Sequence, residues 1–446
     1  MGDLIVADVE KHLADGYQQS PYSWNDGVIQ IAGLDPGSSS RSTGNTGWVL
    51  QDSKMGQRHV VVDSVEGLVP GQWVRLLQSD TGGSLTSYLY GTDYNKISQM
   101  LEKSDDCEPE CASDISNEKD LIRWVSRILA IEEGNVIVFQ RSLPMDVSPG
   151  WKARVMSIPN SMPKENGVRD LTVQFAHVGA SRHHHDAGYN AILVRNAVNA
   201  FVHNVRTLDA DQAFLVQNSQ LVSLDGVQVW KTKSRKTPSM PFDGHIGVGL
   251  YDSSDVEVAN FDVRGEWLHD VSVRGSMMSV FHSGRGDNLR LDTHRSAPYA
   301  ILFSDIYLGK GTRAFGTGGY LSRGMPVAKY TTYYNIRNNK YKPIQLPDST
   351  VSGPCTWGKL VNYIGKWTGT KCPGYNIELV KSNLVHPRDL FNAMIDRKNA
   401  IRGQFSSGVV HSMDSKVAKS AVGESTPRIF PAGDGSYPVL NSPELY

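Results

Sequence analysis

The chain has 446 residues, 39% hydrophobic and 20% charged, with 42 glycines; this globular, turn-rich composition excludes a disordered chain. Its 45 Lys+Arg against 46 Asp+Glu leave a formal net charge of -1, with no basic footprint, so no nucleic-acid partner is expected. No apolar run approaches the ~20 residues a membrane helix needs, so membrane insertion is not expected either.

The start, MGDLIVADVEKHLADG, lacks the charged and apolar regions of a secretory leader. Between residues 27 and 87 the runs GVIQIAG, GWVLQD, RHVVVDSV and QWVRLLQ are short, β-rich and punctuated by turns, and they read as early rungs of a solenoid. Residues 95–128 read as an acidic excursion with some helix, and strands resume in RILAIEEGNVIVFQ. His183, His184 and His185, followed by Asp186, invite a metal reading. Consecutive strand residues cannot turn their imidazoles to one centre, so a solvated loop is the better expectation.

A repeat begins at residue 191. AILVRNAVNAFVHNV (191–205) lies over AFLVQNSQLVSLDGV (213–227) without a gap, at an offset of 22 residues. Leu193 meets Leu215, Val194 meets Val216, Asn196 meets Asn218 and Val205 meets Val227. A third copy, GVGLYDSSDVEVANF (247–261), follows 34 residues after the second, with the excess in the polar loop around KTKSRK (231–236). Each copy alternates short β-rich runs with polar turns and shows no helical period. Equal repeats of this kind stack, each strand pairing with its copy ~4.8 Å above and below. The stacking predicts a turn ladder of Asn196, Asn218 and Asp252, and one column of Leu193, Leu215 and Leu250. The alternatives, an Ig-like sandwich or a propeller, predict no such register.

The expected organisation is therefore one all-β solenoid domain over residues 1–403, with a helical cap near 386–401 covering its open end. Residues 404–446 read as an irregular tail. The four cysteines fall into two local pairs, Cys107 with Cys111 and Cys355 with Cys372, compatible with disulfides in an oxidising compartment. Zinc binding and free thiols are the other readings. A Cys355–Cys372 bridge just before the cap is the specific expectation.

The stretches GHIGVG, FDVRGEWLHDVSV and VFHSGRGDNLRLDTHRSAPYAILFSDIYLGKGTRAFGTGG are similar to pectate-lyase-superfamily proteins of algae and marine bacteria. So are KHLADGYQQSPYSWNDGVIQIAG, GLVPGQWVRLLQ and AGYNAILVRNAVNAFVHNVRTLDAD upstream. The resemblance covers about residues 11–400 and is most specific over 243–319. It implies a right-handed parallel β-helix, action on polysaccharide, and a home outside the cell or in its wall. Members open on a Gly/Asp-rich run of the type FGAKGDG-x-TDD; its lack here predicts a start inside the first coil. A monomer is expected, with an acidic polysaccharide as its partner.

Chemistry-bearing residues crowd into one block, from His245 to Tyr299. If VSV and LRL point their apolar residues inward, Asp270, Ser272 and Arg274 face outward on one rung, and Arg290 and Asp292 on the next. Asp270 and Asp292 are 22 residues apart, which predicts neighbouring carboxylates on one external groove. Two reactions compete. In β-elimination on a uronate chain, Arg290, Arg295, Arg285 or a Ca2+ held by Asp270 and Asp292 neutralises the carboxylate. His294 or His269 takes the C5 proton, and Tyr299 returns one to the leaving oxygen. In hydrolysis the two carboxylates instead act as acid and base. His245, Arg285, Asp287, Arg313 and Trp267 are the expected substrate contacts. The rival readings are surface ion pairs for Asp270, Arg274, Arg290 and Asp292, and a core position for His269. Arg285 and Arg313 can instead bind turn carbonyls, and Trp230 and Trp267 can be core-edge packing. The GTGG at 316–319 reads as a turn, since no Lys-Ser/Thr follows as a phosphate loop requires. A third function class is a β-helix that binds glycan without cleaving it.

Overall fold

The computed structural model describes residues 3–7, 26–33, 46–80, 82–92, 120–158, 162–176, 178–181, 187–319, 323–347, 358, 360–369, 372, 374–380 and 385–408. The repeat builds a right-handed parallel β-helix with three faces. On the first face Ile29–Ala32, Asn190–Arg195, Gln212–Gln217, Gly244–Tyr251, Trp267–Arg274, Leu291–Thr293 and Phe315–Gly316 lie side by side in that order. The 22-residue offset is realised as Leu193 opposite Leu215 and Val194 opposite Val216. Strand Phe201–Leu208 turns a corner: its start pairs with Gln220–Asp225 on the second face and its end with Gln228–Trp230 on the third.

The corners are made by the polar residues the repeat contains. Asn196, Asn218 and Asp252 form the expected ladder with φ of 51°, 46° and 51°, the left-handed region that Asn and Asp tolerate. Gly275 continues it at φ 58°, and a Cβ there would meet Asp252 Oδ1 at 2.3 Å. A serine ladder runs beside it, Ser219 N–H donating to Ser253 Oγ and Ser253 N–H to Ser276 Oγ, both at 3.1 Å. These rungs thus satisfy a corner amide with a side chain of the next, as buried backbone requires.

The interior holds Val194, Val216, Leu250 and Val273 in one cluster with a stacked aromatic file. Phe281 lies 5.3 Å from Phe303, which lies 4.9 Å from Tyr333. Each such side chain contributes roughly 1.5–3 kcal/mol by leaving water. The expected leucine column needs correction. The 34-residue interval sets Leu250 opposite Val216, with Gly249 opposite Leu215. Leu193 and Leu215 pack outside that core with Ile246 and Tyr251, because one residue along a strand changes the face.

The single-solenoid organisation is also corrected. Thr46–Trp48, Arg154–Ser157, Trp73–Ser79, Asp120–Glu132, Val136–Phe139 and His59–Val61 form a separate antiparallel six-stranded sheet. Alternation of period two is common to parallel rungs and antiparallel ribbons, so the runs looked alike in sequence. This sheet has its own core around Trp124, Phe139 and Val155, which is completed by Met277, Tyr299 and Ala300 of the solenoid. Arg141 of the sheet and Asp255 of the solenoid form a fully buried ion pair across the junction. Asp120–Glu132 is a strand where the acidic excursion was expected to end; residues 93–119 lie outside the described residues.

The helix Leu390–Gly408 runs past residue 403 and lies along the flank of the second face, where an end cap was expected. Its Leu390, Phe391, Met394 and Ile395 cover Val280, Leu302 and Tyr334, apolar residues of successive rungs. That outward stripe would otherwise meet water, so burial on the flank decides the docking. Asp389 caps the helix, accepting from Phe391 N–H at 2.9 Å, and also takes Ser304 Oγ and His282 Nδ1 at 2.9 Å. Cys372 is disulfide-bonded. Its expected partner Cys355, the Cys107–Cys111 pair, His183 to Asp186 and residues 409–446 all lie outside the described residues. Among the described residues no helix is long and apolar enough to cross a membrane.

Candidate functional site

A polar cluster grows from the first face, where Val271, Ser272 and Val273 pair with Leu291, Asp292 and Thr293. Val271, Val273 and Leu291 belong to the interior, so Ser272 and Asp292 face away from it. The offset on this rung is two residues shorter than the sequence spacing suggested. Asp292 therefore stands opposite Ser272, and Asp270 stands one pair earlier on the same side.

Neither carboxylate opens into an external groove; both are fully buried. Asp270 is used up internally. Its oxygens accept from Trp267 N–H at 2.7 Å, Arg290 N–H at 2.8 Å and the Arg313 guanidinium. Burial pushes its pKa up to about 6 against the pull of Arg313. Arg313 also donates to Trp267 O at 2.8 Å and Asn288 O at 2.9 Å, so it holds the backbone and does not meet substrate.

Asp292 is the hub of a different arrangement. Its Oδ1 accepts from Gly318 N–H at 2.8 Å. Its Oδ2 lies 2.8 Å from Nδ1 of His294 and also 2.8 Å from Nδ1 of His269. The His294 contact is a hydrogen bond, and since a carboxylate can only accept, Nδ1 carries the proton and Nε2 the free lone pair. The His269 contact is as short but less well aligned than that of His294. The two rings stand 4.9 Å apart at 88°, with His245 5.4 Å behind His269. Burial pushes His269 down to about 4 against the opposing charge of Asp292, so it is neutral at pH 7. Burial would raise Asp292, but the two imidazoles outweigh it and hold the carboxyl well below its usual range.

The roof over this cluster is the GTGG segment that read as a simple turn. A Cβ on Gly318 would meet His294 Cε1 at 2.1 Å and His269 Cε1 at 3.0 Å, and one on Gly316 would meet Arg290 Nε at 2.1 Å. These glycines let backbone lie directly on the imidazoles and the guanidinium. The Gly318 amide is the functional group sequence reading missed, and the signal for it was the glycine-rich run just after a strand.

The structure brings together His245, His269, Arg290, Asp292 and His294, the last three at alternate positions across the strand Leu291–Thr293 and its two flanking residues. Arg290 is half-buried and His294 is the accessible imidazole, with 16% of its side chain exposed. The other expected residues are elsewhere. Tyr299 is fully buried between the solenoid and the antiparallel sheet, at a corner bridged to Met277, so it cannot serve as the acid. Arg295 is buried with its guanidinium on Gly324 O, so it supplies no charge to a substrate. Trp267 is buried in the interior with its indole N–H on Ala210 O, which rules out a sugar platform. Arg285 and Asp287 are exposed on the third face, where Arg285 pairs with Asp262 at 2.9 Å and Asp287 accepts from Gly265 N–H.

Ca2+ takes six to eight oxygen ligands. Asp270 is occupied by Arg313 and two amides, and Asp292 faces two imidazole nitrogens, so these residues do not fit the calcium site expected of them. Among the described residues the one grouping of three His, Cys, Asp or Glu donors is His269, Asp292 and His294, with ligand atoms all within 4.8 Å.

No family model matches the chain, and no curated protein matches it. It is similar to solved tailspikes. The gp49 tailspike of Pseudomonas phage LKA1 aligns over 75% of this chain and 59% of its own, at 10% identity and a TM-score of 0.40. The gp61 tailspike of Pseudomonas phage phi297 aligns over 75% and 56%, at 11% identity and 0.40. The Gp54 tailspike of Acinetobacter baumannii bacteriophage AP22, solved with A. baumannii capsular saccharide, aligns over 84% and 69%, at 10% identity and 0.28. The chain thus spans somewhat over half the length of the first two. The resemblance to pectate-lyase-superfamily proteins rests on the sequence alone.

Proposed function

We propose that this β-helix acts on an acidic polysaccharide as a lyase, with His294 as the general base. The observation that carries the reading is the 2.8 Å hydrogen bond from His294 Nδ1–H to buried Asp292. It fixes the tautomer and leaves Nε2 to take a proton. On a uronate chain that proton is the one on C5. Its bonding electrons form the C4–C5 double bond as the C4–O bond to the leaving sugar breaks. Arg290 supplies positive charge on the same side, where the carboxylate acquires enolate character. Water returns the proton to the leaving oxygen, because Tyr299 is out of reach. The bonded Cys372 suits the oxidising exterior where such a substrate is met.

Hydrolysis by paired carboxylates is less well supported, since Asp270 is tied to Arg313 and buried. Binding without cleavage is the second reading, favoured by the full burial of Asp292 beneath Gly318. The test is incubation with a panel of uronate-containing and sulfated polysaccharides, read by ultraviolet absorbance of unsaturated ends and by reducing sugar. Unsaturated ends that vanish in His294→Ala support the lyase. Reducing ends without unsaturation on every substrate would promote the hydrolase, and retention of a glycan without product would leave the binder.

A further inference from the structure

We infer that His269, Asp292 and His294 form a binding site for one divalent transition-metal ion. Three ligand atoms from two neighbouring rungs lie within 4.8 Å of one another, and both imidazole Nδ1 atoms stand 2.8 Å from the same carboxylate oxygen. Metal–nitrogen and metal–oxygen bonds run ~2.0–2.2 Å, so ligands at right angles stand about 2.9 Å apart and tetrahedral ones about 3.4 Å. The two nitrogen–oxygen spacings are those of adjacent corners of an octahedron, with the third pair inside 4.8 Å, and a two-His-one-carboxylate set suits Mn2+, Fe2+, Co2+ or Ni2+.

A second observation points to the same place. His269 is buried, and its Nδ1 meets Asp292 Oδ2 at 2.8 Å without good hydrogen-bond alignment. Buried polar atoms are ordinarily well paired, and a metal ion between the two would use both lone pairs. The remaining carboxylate oxygen is already oriented by Gly318 N–H at 2.8 Å, the kind of support that ligating carboxylates receive. Neutral imidazole donors also set the chemical class, because they suit these ions and not the all-oxygen preference of Ca2+.

Binding needs the Nδ1 lone pair, so the single proton of neutral His294 moves through solvent from Nδ1 to Nε2 as the ion takes its place. Nε2 then has no lone pair for C5–H. Metal loading and elimination therefore exclude each other at this site. The inference stands on the ligand geometry and not on the lyase reading, and its test requires no activity.

The full chain, stripped with EDTA and desalted, is titrated with CoCl2 and followed by calorimetry and by visible absorption. One equivalent bound with weak, octahedral-type bands is expected, with affinity reduced at least about tenfold in Asp292→Asn and His269→Gln. No binding, or binding unchanged in both folded variants, overturns the inference. A cobalt-loaded wild-type crystal gives the answer without any variant. Anomalous density between the two Nδ1 atoms supports the site, and cobalt found only elsewhere overturns it.

Discussion

Gly318→Ala is the sharpest probe of the roof over Asp292. The new methyl would lie 2.1 Å from His294 Cε1 and 2.2 Å from its Nδ1, both far inside contact distance. His294 is held to a buried carboxylate and His269 lies just behind it, so neither ring can give way freely. The segment must lift, and the 2.8 Å bond from Gly318 N–H to Asp292 is lost. A hydrogen bond to a charged group is worth about 1.5–3 kcal/mol, and overpacking costs about 1–3 kcal/mol. Partial relief of one by the other leaves an expected loss of about 2–4 kcal/mol, measured as a change in denaturation midpoint at constant m. Gly179→Ala, where a Cβ meets nothing within 4 Å, is the control and should fall within about 0.5 kcal/mol of wild type. A Gly318→Ala protein as stable as this control, with unchanged cobalt binding and turnover, would refute the roof.

The helix docking should depend on pH through His282. Burial alone would lower its pKa, but hydrogen bonds to Asp389 and Glu257 raise it to about 9. With a folded pKa above the unfolded ~6.5, its contribution is fully present below about pH 6.5 and is lost as pH rises through about 9, about 3 kcal/mol in all. Denaturation at pH 6 and pH 10 should show that loss in wild type and much less of it in His282→Gln. Asp255→Ala should cost about 3–5 kcal/mol by stranding Arg141 at the junction of the two sheets, measured by denaturation. His294→Ala should lower turnover ~10²- to 10⁴-fold, whereas Tyr299→Phe should leave kcat within about twofold and act on stability alone. A Tyr299→Phe enzyme with collapsed kcat and normal stability would bring that phenol back into the chemistry.

Part of the candidate site was legible in sequence. Alternation in VSV and LRL put Asp292 on the side away from the core, and the polar block from His245 to Tyr299 contains the residues that the structure brings around it. The rung spacing was not legible, because a corner two residues shorter moves Asp292 from Asp270 to Ser272 without changing its face. Nor was accessibility. Tyr299, Arg295 and Asp270 look as available as His294 on paper, and only the packing of other segments on them decides otherwise.

What the sequence determined by itself is the repeating part of the fold. The 22-residue register, the valine columns and the Asn–Asn–Asp corner are local patterns that each rung repeats, so neighbouring rungs reinforce one pairing. The tertiary structure alone decided whatever depends on segments distant in the chain. It joined the six strands from Thr46–Trp48 to Arg154–Ser157 into an antiparallel sheet packed on the solenoid, laid the final helix over Val280 and Leu302, and closed Gly318 over Asp292. The physical reason is that period and parity specify which way a side chain points, while burial and ligand geometry are set by what arrives on the other side of it.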